Sequence, residues 1–288
     1  MKPADLPGEA LGSAGCQADI EFAREPGGRT YIARQRVGYP FHLGKALYLP
    51  GDPLGMPTVY LQSCSGGIFE ADRLALQITA QAGSQARVTT AASTIVHSME
   101  HTAARQTVFL QAESGALLEY LPEPTILFPQ ARFGSHLRVT VHPEAAVIFG
   151  DSLIFHDPAG RRDWFSTIDS DTRIFDGTGE LMVGDRFCLK GEDLARGRPG
   201  INGTWGAQGS FFFAVTARDV AQSLVAALRE GLSSLSGVYT AASALPHGAG
   251  AWARILAHDG ASLRAAMQGC RRAARNVLSG HHPRERRP

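Results

Sequence analysis

Two histidines and a glutamate stand close together at His97-Ser-Met-Glu-His101. On a helix, residues four apart meet over one metal ion, and this order is the inverted zincin pattern, two zinc ligands with a glutamate that activates water. The flanks argue against a helix. Ser93-Thr-Ile-Val96 and Arg105-Gln-Thr-Val-Phe-Leu110 both have β character, and no third-ligand segment follows on a second helix. If the stretch is extended, His97, Met99 and His101 share one face at a repeat of roughly 7 Å. That spacing suits a transient nickel or zinc site, or simply two hydrogen-bonded histidines. Other chemistry finds less support. Ser63-Cys64-Ser65 has no interpretable His or Asp partner, there is no Gly-x-Ser-x-Gly, and no Walker loop is present. Carboxylates are scattered, and Asp72, Glu119 and Asp151, beside apolar strands, are the best placed to line a polar interior channel.

These residues need elements to position them, and the elements read as mainly β. Short alternating or apolar segments, broken by Gly, Pro, Asp or Asn, recur from Ala18 to about Gly206. They include 18–23, 30–36, 74–80, 85–90, 105–111, 116–121, 135–141, 146–155, 164–168, 173–175 and 181–189. Their frequency predicts a large body of stacked or wrapped sheets rather than βαβ units. The last quarter reads as β-α-β-β-α. Strands are expected at 210–216, 237–240 and 251–257. One helix is capped by Asp219 and stopped by Gly231, and a second starts near Ser262 with Leu263, Met267, Cys270, Ala274 and Val277 on one face. Arg271, Arg272 and Arg275 fall near its C-terminus, where they complement the helix dipole. The expected organisation is a loose arm over 1–18, one β-rich domain over 19–280 whose C-terminal α+β portion covers about 210–280, and a disordered tail over 281–288.

Length and composition narrow the class. With 288 residues, 28 Lys+Arg against 27 Asp+Glu and four scattered cysteines, the chain has no charge excess for nucleic acid and no disulfide or zinc-ribbon pattern. The N-terminus lacks an apolar signal segment, and no apolar run approaches a membrane span. A cytoplasmic protein is expected, without a membrane or nucleic-acid partner.

At the centre lies Tyr60-Leu-Gln-Ser-Cys-Ser-Gly-Gly-Ile-Phe-Glu-Ala-Asp-Arg-Leu74, a strand, a small-residue turn and a second strand with Leu74, Leu76 and Ile78 on one face. By itself it reads as a hairpin or bulge, with Gly66-Gly67 giving the backbone freedom a Cβ would deny. Around it stand Arg36-Val-Gly-Tyr-Pro-Phe-His-Leu43, Ala86-Arg-Val-Thr-Thr-Ala-Ala-Ser93 and Gly115-Ala-Leu-Leu-Glu-Tyr-Leu-Pro-Glu-Pro-Thr-Ile-Leu-Phe128. This ordered set resembles the urease accessory protein family called UreD, or UreH, over roughly residues 30 to 280. The sequence departs from the family pattern twice. Phe69-Glu-Ala-Asp72 keeps the Asp of a Gly-Asp pair and drops the Gly, and Leu121-Pro-Glu-Pro-Thr125 carries an extra proline.

The resemblance implies a non-enzymatic scaffold or chaperone. It would bind urease apoprotein, UreF and the GTPase UreG and help insert nickel into the urease metallocentre, with nickel held only transiently and no tight cofactor. The motif residues it marks are Tyr39, Pro40, Phe41, Gly66, Gly67, Asp72, Arg73, Leu121, Pro122, Thr125 and Phe128. The Tyr39 to His42 loop and the Leu121 to Phe133 segment either offer exposed aromatics to a partner or fill the core. For transient metal or a channel the candidates are Asp72, His97, His101, Glu119 and Asp151. The alternatives are a zinc-dependent hydrolase using His97, Glu100 and His101, and a non-catalytic β-rich ligand-binding module.

Overall fold

The structure is a computed structural model that describes residues 15–157, 159–161, 163–197, 203–216 and 220–281, except the side chains of Gly280 and His281. The strands run β1 Ala18–Arg24, β2 Thr30–Val37, β3 Phe41–Leu43, β4 Thr58–Ser63, β5 Arg73–Ala80, β6 Gln85–Thr89, β7 Thr94–Val96, β8 Ala104–Ala112 and β9 Leu117–Tyr120. They continue with β10 Thr125–Leu127, β11 Arg132–Val141, β12 Ala146–Phe155, β13 Thr167–Asp176, β14 Leu181–Lys190, β15 Ala207–Val215, β16 Val238–Ala244 and β17 Gly250–Ala257. The helices are α1 Gly191–Ala195, α2 Val220–Ser233 and α3 Gly260–His281.

The mainly β reading holds, and its wrapping is specific. A seven-stranded sheet has the order β14-β13-β11-β8-β5-β1-β2, and a ten-stranded sheet the order β16-β17-β15-β12-β9-β6-β4-β3, with β7 and β10 attached beside β12. The chain steps from one sheet to the other and back. β5, β8, β11 and β13 are parallel neighbours in the first sheet, and β4, β6, β9 and β12 are parallel neighbours in the second. Each circuit of about 30 residues is therefore one coil of a short solenoid, stacked on the coil before it.

Stacking in register lines up like residues. Ile20, Ile78, Leu110, Val139 and Ile174 stand opposite one another across the seven-stranded sheet. Val59, Val88, Tyr120, Phe149, Phe212 and Trp252 do the same across the ten-stranded sheet. Both ladders lie in the main core, with Phe149 and Phe212 stacked at 5.0 Å between ring centroids. β15, β17 and β16 extend the ten-stranded sheet, so the α+β portion shares a continuous hydrogen-bonded sheet with the β body. α2 and α3 cover the far side of that extension, burying Leu224, Leu228, Leu232, Leu263, Ala266 and Cys270 against Phe211, Phe213 and Ile255.

Several expectations are corrected. The Ser63–Gly67 turn is a corner between sheets and not a hairpin, because β4 and β5 belong to different sheets. Residues 164–166 are loop and β13 is continuous from Thr167 to Asp176, absorbing the separate strand expected at 173–175. Gly231 does not end α2. It lies where α2 crosses α3, with the Gly269 carbonyl oxygen 3.8 Å from the position a Cβ would take, so the small residue serves close helix contact. α3 starts two residues before Ser262, and Asp259 Oδ1 accepts the Ser262 amide at 2.7 Å, capping it. Arg271 and Arg275, expected to complement the dipole of α3, also turn towards the buried carboxylates Glu119 and Asp52. Gln17 and Ala18, read as the end of an arm, are already tied in: Gln17 pairs with Ala75 and Gly38, and Ala18 opens β1. The expected cap Asp219, residues 1–14 of the arm and residues 282–288 of the tail lie outside the described residues.

Phe212 is 1% exposed at the centre of the core ladder. Phe212→Ala should cost about 3–5 kcal/mol, read as a lower urea midpoint with an unchanged m-value.

Candidate functional site

The parallel order of β4, β6 and β9 fixes where the motifs go. Neighbouring parallel strands end on the same edge of a sheet, so the segments after them must cluster there. Those segments are Ser63–Gly67, Thr90–Ser93 and Leu121–Pro124, three of the four stretches that carry the family resemblance. They line one cleft of about 460 Å³ with Phe41 from the fourth stretch, and Leu61, Leu76 and Tyr120 are also in its wall. Thr89 and Thr90 join successive coils: Thr89 Oγ1 donates to the Leu121 carbonyl at 2.7 Å, and Thr90 Oγ1 accepts the Glu123 amide at 2.9 Å. Burial leaves the Tyr120 phenol well above its ordinary pKa, so it stays neutral.

The glycine turn at the cleft is sterically fixed. Gly67 has φ +139°, and a Cβ there would sit 2.4 Å from the Ile95 carbonyl oxygen and 2.9 Å from His97 Nε2. His97 Nε2 is 3.0 Å from the Gly66 carbonyl oxygen. Asp72 Oδ2 accepts the Phe69 amide at 2.8 Å, closing the turn, and Arg73 Nη1 donates to the Asp72 and Ala103 carbonyls. Ala71, which stands before Asp72 where the resemblance expects a glycine, holds φ +66°. A left-handed backbone there costs an alanine about 1–2 kcal/mol that glycine avoids.

Beside the cleft, β7 and β10, attached to β12 of the ten-stranded sheet, close the coil corner. Ile68, Val96, Leu127 and Phe155 stack in register inside it. One residue further along each coil, Phe69, His97, Phe128 and His156 form a ladder of rings on the outside. Their centroids are 4.4, 5.7 and 4.7 Å apart, the first and last pairs stacked and the middle pair edge-on. Phe69 ends the ladder, 47% exposed, and Tyr39 is 78% exposed one residue from Pro40, whose carbonyl accepts the Cys64 amide.

The marked residues therefore divide. Tyr39 is exposed, Pro40 is buried and Phe41 packs partly on the core. Gly66, Gly67, Pro122 and Thr125 line the cleft. Leu121 packs towards the helices, Phe128 is in the ladder and Phe133 is buried. Of the metal or channel candidates, Asp72 closes the turn and His97 is held in the ladder. Residues 97–101 are neither helix nor strand, Met99 is buried and His101 is exposed beside Glu100, so the two histidines do not share a face. Glu119 faces α3, where Arg275 Nη2 donates to it at 2.8 Å. Asp151 lies between the sheets, where Ser170 Oγ donates to it. Burial raises its pKa above the ordinary carboxylate value, although Ser210, Arg254 and Ser170 offset part of that. The structure thus brings Phe41, Gly66, Gly67, Pro122 and Thr125 to one cleft and leaves the five acids and histidines dispersed. Among the described residues no group of three or more His, Cys, Asp or Glu is arranged to hold a metal ion.

One positioning residue had no sequence signal beyond being a carboxylate beside the glycine turn. Glu70 accepts the amides of Thr102, His101 and Glu100 at 2.6, 2.8 and 3.2 Å, pinning the loop that carries the histidines. Those three bonds hold its carboxyl below the ordinary value.

The family described as UreD urease accessory protein matches residues 14–288. The urease accessory protein UreD 1 of Pseudomonas syringae pv. syringae is 43% identical over 270 residues, covering 94% of each chain. Its counterpart in Pseudomonas syringae pv. tomato is 45% identical over 271 residues, again 94% of each. The UreD 1 protein of Methylorubrum extorquens is 37% identical over 291 residues, 99% of this chain and 95% of the relative.

Two tests follow from this geometry. Gly67→Ala should destabilise the protein by about 1–3 kcal/mol while Ala71→Gly leaves stability unchanged or raises it by up to about 1 kcal/mol, both measured by urea unfolding. Glu70 has a folded pKa below its unfolded value of about 4.3, so its contribution is complete above that pH and is lost as pH falls through the folded value. Amide exchange at Glu100–Thr102, corrected for intrinsic rates, should accelerate across that acid range, and Glu70→Gln should abolish the acid step.

Proposed function

Because the chain belongs to the UreD urease accessory protein family and its role lies in urease maturation, we propose that it acts as a non-catalytic cytoplasmic scaffold. It binds urease apoprotein together with UreF and the GTPase UreG, and nickel passes to the metallocentre as cargo of that assembly. The observation that carries this reading is the convergence of the motif stretches on one cleft, with Tyr39 and Phe69 exposed near it. Large, half-exposed aromatics on a rigid frame are the side chains that anchor protein interfaces. The ladder supports Phe69 from behind, so little conformational entropy is lost when a partner covers it.

The zinc-hydrolase alternative loses its geometric basis. It requires both histidines and the glutamate on one helix, and residues 97–101 form none.

The test is urease activity and urease nickel content in a host carrying the urease structural genes and the other accessory genes, with and without this chain. Both should depend on it. The double variant Tyr39→Ala, Phe69→Ala should lower activity at least about tenfold while its urea midpoint stays close to wild type. Full activity without the chain overturns the scaffold reading. Full activity with the folded double variant removes these aromatics from the interface.

A further inference from the structure

A second polar site lies under α3, across the Leu121–Pro124 segment from the cleft, with Pro122 and Glu123 lining both. There Arg87 of β6 and Glu119 of β9 meet Asp52, Arg271 and Arg275. Arg275 serves both carboxylates: its Nη1 donates to Asp52 Oδ1 at 2.6 Å and its Nη2 to Glu119 Oε2 at 2.8 Å. Thr58 Oγ1 also donates to Asp52, at 2.8 Å. The other two arginines are left over. Arg271 Nη1 is 3.8 Å from Asp52 and 3.7 Å from Glu119, outside hydrogen-bond reach. Arg271 Nε, Arg271 Nη1 and Arg87 Nε are buried without a protein partner.

Charge and shape point the same way. Three guanidinium groups face two carboxylates, which leaves one positive charge in excess. Burial, with repulsion from Arg87 and Arg275, pushes the Arg271 pKa down, and the two carboxylates only partly offset it. A guanidinium cannot relieve that by losing its proton at ordinary pH, so its stable partner is an anion. Arg87 and Arg271 line a common cavity of about 50 Å³ with Thr89, Ser152, Gln268 and Arg264. Glu123 also lines it and lies 3.8 Å from Arg264, so that pair adds no net charge. The volume holds a few waters or one compact anion and excludes a nucleotide.

We infer that this cavity binds one small oxyanion, held by the unpaired N–H groups of Arg87 and Arg271. Planar bicarbonate or carbonate and tetrahedral phosphate share the chemistry that a guanidinium recognises. The inference stands on this cluster alone and does not depend on the urease reading.

The full chain is titrated with sodium bicarbonate and, separately, with inorganic phosphate, at constant ionic strength balanced by chloride. Thermal unfolding and the ¹³C line width of labelled bicarbonate are the readouts. A saturable rise in Tm with one oxyanion is expected, following the logarithmic dependence of ligand linkage. Competition for the ¹³C signal shows whether bicarbonate or phosphate is preferred. Arg271→Met and Arg87→Met should each weaken apparent affinity at least about tenfold, and the double variant Glu123→Gln, Arg264→Gln, which leaves the net charge unchanged, should change it little. Should Arg271→Met fail to fold, Arg87→Met and the wild-type competition still decide. The inference is overturned if neither oxyanion saturates against the chloride background, if the folded variants titrate like wild type, or if crystals soaked in both anions show only water in the cavity.

Discussion

Each coil of this chain satisfies its backbone hydrogen bonds on the coils above and below it, and the rest of the molecule follows from that demand. A buried strand cannot leave its N–H and C=O groups unpaired. Parallel strands cannot pair with the segment that immediately follows them, so the chain crosses to the other sheet and returns beside itself. Once β5, β8, β11 and β13 stack in one sheet, the strands between them stack in the other. A one-residue slip would turn every inward side chain outward, and the aligned rows of Ile78, Leu110 and Val139 oppose such a slip.

The same register builds the cleft. Segments that leave parallel strands at one edge become neighbours although they lie about 30 residues apart in sequence. That brings the glycine corner, the threonine pair and the Leu-Pro segment around one cleft. It also stacks Phe69, His97, Phe128 and His156 into a ladder that no single stretch contains. On the opposite side of the ten-stranded sheet, adjacent β6 and β9 present Arg87 and Glu119 to the basic face of α3. Cleft and arginine cluster thus both follow from the same stacked strands.

Much of this was legible in the sequence. Alternation placed Leu76 and Ile78 in the core, and small residues marked a turn at Ser63–Gly67, although they read as a hairpin or bulge and not as the corner between sheets that it is. The order of four stretches gave the family. What could not be read was pairing. The coils share a length but no repeated sequence, so nothing marked β4, β6 and β9 as parallel neighbours. β3, β7 and β10 have three residues each, too few to show a period. His97-Ser-Met-Glu-His101 looked like chemistry because spacing was all it showed; tertiary contacts instead hold His97 against Gly66 and Phe69 and leave His101 in solvent. Arg275 meets Glu119 from 156 residues away and Asp52 from 223, a separation at which local pattern carries no signal.

The central claim is that the cleft and its aromatic edge form the surface on which partners assemble. It is tested most directly by hydrogen exchange on the full chain, alone and in complex with urease apoprotein and the other accessory proteins. New protection is expected at residues 39–42, 63–69, 90–95 and 121–128. Protection confined to the outer face of the seven-stranded sheet, with those four segments unchanged, would contradict it.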